Sequence, residues 1–191
     1  NGLKLVIGSN SVSGDEIQKI RQIAEKKEFI SGFGSLDSVE AILSYQEFLK
    51  KSFKFKHKLK VVIDSGNGTA GLVAPKILRQ LGHEVIDLFS EPDSQFPNHH
   101  PDPTVEENLK DIIREVRNQR ADCGLAFDGD ADRLGVIDDL GNIIWGDKLL
   151  IFFSRAILKE RPGATFVADV KCSNLFFEDV QRHGGKAVMW K

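Results

Sequence analysis

An α/β fold, a mixed β-sheet layered between helices, is the architecture this sequence predicts. Three observations carry that reading. From Lys58 onward, apolar runs of strand length alternate with amphipathic stretches of helical spacing. The run CGLAF (123–127) is followed by two more strand-like runs joined by the turn DLG (139–141), a hairpin set into an otherwise helix-linked series. Several helical stretches open on residues that can satisfy free backbone N–H groups.

The elements follow in order. LKLVIG (3–8) reads as an opening strand. In SGDE (13–16) the Ser13 hydroxyl and Glu16 carboxylate suit a capping box, and Ile17, Ile20, Ile23 and Ala24 keep helical spacing behind it. DSVEAILSYQEFLKKSF (37–53) predicts a second helix, begun by Asp37 or Ser38. KVVID (60–64) predicts a strand, residues 71–81 a helix and HEVIDLF (83–89) a strand. SEPDSQFPNHHPDP (90–103) is too polar and too interrupted by proline to be an element. Thr104 and Glu107 suit a second capping box, ahead of a stripe of Leu109, Ile112, Ile113 and Val116. The strands CGLAF, LGVID (134–138) and NIIW (142–145) come next. KLLIFFSRAILKE (148–160) is apolar on most faces, which predicts a helix buried between layers. The strand TFVADV (165–170), the helix NLFFEDVQRHG (174–184) and the strand KAVMW (186–190) close the series.

With 191 residues, 41% apolar and 28% charged, the chain suits one or two globular domains with a real core. A net charge of -2 gives no overall pull toward nucleic acid or an anionic membrane. The absence of an eighteen-residue apolar run and of a charged-then-apolar leader argues against a membrane span or secretory signal, so the cytoplasm is the expected compartment. Cys123 and Cys172 have no C-x-x-C spacing and are expected to be buried, reduced thiols. Strand patterns abut both termini, and the expectation is that both ends are cut from a longer chain.

FDGDADR (127–133) carries the sharpest chemical signal. Asp128, Asp130 and Asp132 alternate with small residues, so a tight loop can turn three carboxylates toward one point, where they repel unless a cation joins them. Hard oxygen donors suit Mg²⁺, and the planar fork of Arg133 suits phosphate. A solvated acidic turn is the plain alternative. A calcium EF-hand would take Asp128, Asp130, Asp132 and Asp139, but Arg133 stands where that loop needs glycine and a strand precedes it. A phosphatase of the haloacid dehalogenase type, with Asp128 as nucleophile, is the chemical runner-up, and a non-catalytic Mg²⁺-binding module stands beside it.

Other stretches are weaker. DSGNGTAG (64–71) contains G-x-G-x-x-G with Asp87 about twenty residues on, but Asp64 puts a carboxylate where a dinucleotide's pyrophosphate would sit. Glycines of a tight strand-to-helix turn are the preferred reading. His99, His100 and Asp102 could in principle meet zinc, yet the flanking prolines suggest a rigid loop. KKSFKFKHKLK (50–60) interleaves six lysines with Phe53 and Phe55, and reads as a linker with its phenylalanines turned inward rather than a nucleic-acid platform. Lys4 is by itself a solvated side chain, and Lys171 follows a strand at the end where α/β proteins place ligands.

Taken together, VVIDSGNGTAG, FPNHHPDPTVEENLKDI, GLAFDGDADRLGVID and DVKC resemble the α-D-phosphohexomutase superfamily and, within it, the bacterial phosphomannomutase/phosphoglucomutase family. The resemblance covers nearly the whole chain. It implies a four-domain enzyme moving phosphate between the 1 and 6 positions of a phosphorylated hexose through an enzyme phosphoserine and Mg²⁺. It implies Asp128, Asp130 and Asp132 as metal ligands, Arg133 as a phosphate contact, and Lys4 and Lys171 as catalytic lysines. Residues 1–39 would be the end of domain 1, 40–142 the metal-binding domain 2, and 143–191 the beginning of domain 3. The family's T-A-S-H-N-P loop, which bears the phosphoserine, is absent from these residues, so the chain alone is expected to be inactive.

Overall fold

The computed structural model describes residues 4–191, so Asn1, Gly2 and Leu3, the first residue of the expected opening strand, lie outside the described residues. Two compact units are present, one ending at Val39 and the other running from Glu40 to Lys191.

In the first unit the expected six-residue strand contracts to β1 (Val6–Ile7), paired antiparallel with β2 (Asn10–Ser11). Gly8 turns the chain at a φ of 62°, a conformation that ends an extended run and that glycine adopts without strain. Helix α1 (Asp15–Lys26) follows, but the capping box does not form. Gly14 occupies the cap position at a φ of 54°, no side chain caps the helix, and the Glu16 N–H donates to the Ser13 backbone carbonyl at 3.2 Å. Ile17, Ile20 and Ile23 form the expected stripe and stay exposed.

The second unit opens with α2 (Ala41–Ser52). Glu40 is at its cap, so neither Asp37 nor Ser38 starts the helix. Phe53 and Phe55 behind it do not turn inward: both are about half exposed, and Phe55 meets the His83 ring edge-on at 4.5 Å. Strands β3 (Lys60–Asp64), β4 (Glu84–Leu88), β5 (Cys123–Phe127), β6 (Leu134–Asp138) and β7 (Ile143–Ile144) form one sheet in the order β4-β3-β5-β6-β7. The first three strands run parallel, and β6 and β7 pair antiparallel, which gives the expected mixed sheet.

Register explains where the core lies. Ile86, Val62, Gly124, Ile137 and Ile143 fall in one row across the five strands. Helix α4 (Lys110–Gln119) covers that row with Ile112 and Val116, both fully buried, each contributing about 1.5–3 kcal/mol by leaving water. A Cβ on Gly124 would come within 2.8 Å of Val116 and 3.0 Å of Ile112, so the bare strand lets the helix sit close. Val61 and Ile63, on the opposite face by alternation, are also buried.

The expected 71–81 helix is broken. A 3₁₀ turn (Thr69–Leu72) precedes α3 (Ala74–Gln80), because Pro75 lacks an N–H and is tolerated only in a first turn. Likewise a 3₁₀ turn (Glu106–Leu109) precedes α4, and the second capping box is absent. The Thr104 hydroxyl and N–H both donate to Asp102 Oδ1, at 2.7 and 3.0 Å, which removes the hydroxyl from capping.

Helix α5 (Gly146–Glu160) is less buried than its composition predicts: Phe152 and Phe153 remain 58% and 55% exposed. One edge packs with Leu150 and Ile151 on Ala168, Phe176 and Val180, contributed by β8 (Thr165–Asp169) and α6 (Asn174–Arg182). β9 (Lys186–Trp190) pairs parallel with β8, and Ser173 caps α6 by accepting the Leu175 N–H. Cys123 and Cys172 are free thiols but only half-buried, Cys123 on the central strand β5 and Cys172 against the cluster around Phe176. Among the described residues no helix is long and apolar enough to cross a membrane.

Candidate metal centre

In the order β4-β3-β5 the chain leaves β3 toward one side and returns to β5 on the other, so the carboxyl ends of β3 and β5 flank a crevice where α/β sheets place ligands. Two loops of the sequence meet there. One is DSGNGTAG after β3, and the other is DGDADR after β5.

The amides at the head of the glycine loop, where a pyrophosphate would meet them, are already engaged within the protein. The Gly66 N–H donates to Asp64 Oδ1 at 2.9 Å, Asn67 to the Phe89 carbonyl at 2.8 Å, Gly68 to the Ser65 carbonyl at 2.7 Å and Thr69 to the Gly129 carbonyl at 3.1 Å. The glycines serve close packing instead. A Cβ on Gly68 would lie 2.7 Å from Gly129 O, and one on Gly71 would lie 1.9 Å from Ser90 O. The loop thus presses directly on the backbone of the acidic loop.

In the acidic loop Ala131 takes a φ of 61°, and its N–H donates to the Asp128 carbonyl at 3.1 Å. This tight turn brings one carboxylate oxygen each from Asp128, Asp130 and Asp132 within 4.8 Å of one another. Asp128 is buried at 1% exposure, while Asp130 and Asp132 are exposed. Repulsion from Asp130, then from Asp128, pushes the Asp132 carboxyl above its usual value. Burial works against charge on Asp128, but hydrogen bonds from Arg133 outweigh it and hold that carboxyl below the usual range. The Arg133 N–H donates to Asp128 Oδ1 at 3.0 Å, and its Nε donates to Oδ2 at 2.7 Å.

The donor set fits a hard divalent cation. Oxygens on one Mg²⁺ stand about 3 Å apart when cis and about 4 Å apart when trans, so the trio must draw together to share an ion, and each oxygen of Asp128 keeps a lone pair beyond its bond to Arg133. Among the described residues no other group of three acidic, histidine or cysteine side chains converges in this way, His99, His100 and Asp102 included.

Arg133 is brought to the trio, with its Nη1 donating to Asp102 Oδ1 at 3.3 Å and the rest of its fork open to solvent. Lys171 is exposed in the turn after β8, and its N–H donates to Asp169 Oδ1 at 2.8 Å. Lys4 is exposed in the first unit. Neither lysine makes an ion pair with a described residue.

Sequence reasoning did not foresee the part played by Asp64 and His99. Asp64, legible only as an obstacle to a bound anion, is 1% exposed and meets His99 Nε2 at 3.2 and 3.1 Å. His99 Nδ1 lies 3.0 Å from the His100 carbonyl oxygen, and the ring stands edge-on to Phe89. The Asp64 hydrogen bond, opposed by burial and aided by the His100 carbonyl, raises the His99 pKa above its ordinary 6.5.

Comparison with known proteins gives this arrangement a context. Residues 37–141 match the family described as phosphoglucomutase/phosphomannomutase, alpha/beta/alpha domain II. The chain is 42% identical over 191 residues to a phosphomannomutase/phosphoglucomutase of Pseudomonas aeruginosa, covering 100% of itself and 41% of that protein. It is 42% identical to a phosphoglucomutase of Neisseria gonorrhoeae, of which it covers 42%. Among solved structures it resembles a phosphoglucomutase/phosphomannomutase family protein of Burkholderia thailandensis, with a TM-score of 0.86 and 40% identity over 93% of this chain and 39% of that one. The chain therefore spans about two fifths of the length of the relatives it matches.

Proposed function

Because the chain belongs to the phosphoglucomutase/phosphomannomutase family, we propose that it supplies the metal platform of a reversible phosphosugar mutase, one that exchanges mannose or glucose 1-phosphate with the 6-phosphate. The observation that carries this reading is the aspartate trio beside Arg133, at the β3 and β5 crevice of a sheet matched over residues 37–141. On this reading residues 1–39, 40–142 and 143–191 correspond to the end of domain 1, domain 2 and the beginning of domain 3. On this reading the cytoplasm remains the expected compartment.

Asp128, Asp130 and Asp132 would hold Mg²⁺, which when bound draws negative charge from a phosphoryl oxygen. Arg133 contributes the donors left free by Asp128 and Asp102 to the oxygens of the transferring group. Lys4 and Lys171 would move a proton or stabilise charge at the same group. The phosphoryl carrier on this reading is a phosphoserine in a T-A-S-H-N-P loop, a run these 191 residues do not contain.

The burial of Asp128 and its two bonds to Arg133 favour a ligand over the exposed nucleophile of a dehalogenase-type phosphatase. Beryllium fluoride trapping followed by mass analysis distinguishes the two: an adduct on Asp128 would overturn the mutase reading. A coupled assay with glucose 1-phosphate tests the chain alone. No turnover above the buffer rate is expected, and rapid conversion to the 6-phosphate would contradict the assignment of the phosphoryl carrier. A chain that binds Mg²⁺ while the longer protein never takes phosphosugar would favour a non-catalytic module instead.

A further inference from the structure

The proline-rich run behind the acidic loop makes four contacts in five residues, and each falls on a different part of the site. His99 pairs with Asp64 at the carboxyl end of β3. Pro101 is wedged between the two loops: a Cβ on Gly66 would lie 2.9 Å from Pro101 Cβ, and one on Gly129 would lie 3.5 Å from Pro101 Cγ. Asp102 accepts from Arg133 Nη1. Pro103 covers β6, where a Cβ on Gly135 would come within 2.9 Å of it. Two glycines, Gly66 on the β3 loop and Gly135 on β6, thus leave room for two prolines of one segment.

The polar ends of that segment are over-determined. Asp102 Oδ1 is fixed from its own side by the Thr104 N–H and hydroxyl, so its position is set before Arg133 reaches it. The Asp64 carboxyl group and the His100 carbonyl oxygen lie against the two nitrogens of the half-buried His99 ring, and hydrogen bonds to both favour its charged form opposite the buried Asp64. Removing one member leaves the other uncompensated. Asp64 also holds the Gly66 N–H, and the same loop donates from Thr69 to Gly129 between two of the metal ligands. A continuous chain of contacts therefore runs from His99 to the acidic loop.

We propose that His99–Asp102 is a strut that positions the metal centre: His99, through Asp64 and the glycine loop, fixes the backbone of Gly129, and Asp102 fixes the guanidinium of Arg133. His99, Asp64 and Asp102 are positioning residues, since none is among the ligand trio. The inference rests on the metal reading above for its functional consequence, while its structural content stands on these contacts alone.

The test uses the 191-residue chain and its variants His99→Gln, Asp64→Asn and Asp102→Asn, with Mn²⁺ as the probe. Affinity is read by electron paramagnetic resonance of free Mn²⁺, and the Arg133 side-chain Nε–H is followed by NMR. Loss of partners outside a ligand set weakens metal binding about 10–100-fold, and the lower end is expected here because the strut acts through backbone. His99→Gln and Asp64→Asn should each weaken Mn²⁺ about tenfold, and the double variant no further, because the two residues act as one unit. In Asp102→Asn the Arg133 Nε–H should broaden and exchange faster, while amides of β3 and β5 keep their protection. Wild-type affinity in all three variants, with an unchanged Arg133 resonance, would overturn the strut. If the wild type binds no Mn²⁺, the metal reading fails, and the Arg133 resonance alone decides the strut. If a variant is too unstable to measure, Pro101→Ala, which removes the wedge without unpairing a charge, takes its place with the same expected direction.

Discussion

His99 gives the residue scale its clearest test. Its pKa is raised in the folded chain by the Asp64 hydrogen bond, with burial opposing, above the ordinary value of 6.5. A group whose folded pKa is raised contributes stability that is fully present below the unfolded pKa and is lost as pH rises through the folded one. The stability advantage of the native chain over His99→Gln should therefore be largest near pH 6 and shrink as pH climbs, read as the gap between urea midpoints. A gap that is constant or grows toward pH 9 would show that the ring is not held charged. The same residue marks a limit of sequence reading. FPNHHPDP was legible as a rigid loop but not as a partner of Asp64, because a contact across 35 positions leaves no periodicity in either segment. The acidic trio was legible for the opposite reason, since all three carboxylates come from one five-residue turn.

At the scale of elements, the strands of the central sheet were readable along the chain, while most helix starts, that of α6 at Asn174 excepted, were not. KVVID, CGLAF and LGVID became β3, β5 and β6 with the expected bounds, because short apolar runs bounded by polar or turn residues read as strands, whether buried on both faces as β3 or alternating as β5 and β6. The two capping boxes failed for different reasons: Gly14, not Ser13, holds the cap position of α1, and Asp102 captured the Thr104 hydroxyl. Gly124 carries a consequence that its neighbours in CGLAF do not reveal. It lies in the row beneath α4, where a Cβ would come within 2.8 Å of Val116 and 3.0 Å of Ile112, so Gly124→Val must displace those side chains or the helix that carries them. Overpacking of this kind costs about 1–3 kcal/mol, and chemical denaturation should report a loss of that size. An unchanged midpoint would mean that α4 does not rest on the β5 backbone.

For the molecule as a whole, what composition could not reveal is how much apolar surface stays open. Phe152 and Phe153 on α5, Ile17, Ile20 and Ile23 on α1, and Val167 and Trp190 on the β8–β9 pair are all exposed. Helical spacing marks a face as apolar without saying what covers it, which is why α5 was expected to be buried and is not. The Pseudomonas aeruginosa relative is more than twice as long, since this chain covers 41% of it. The isolated chain is expected to raise anilinonaphthalene sulfonate fluorescence while retaining native circular dichroism. A native chain that leaves the dye dark would mean that these faces are closed in solution. The central claim, that the trio forms a metal platform, is tested most directly by titrating Mg²⁺ into the chain and into Asp130→Ala in a calorimeter. The account predicts one site per chain and its loss in the variant. Heat indistinguishable from dilution in both, or equal binding in both, would contradict it.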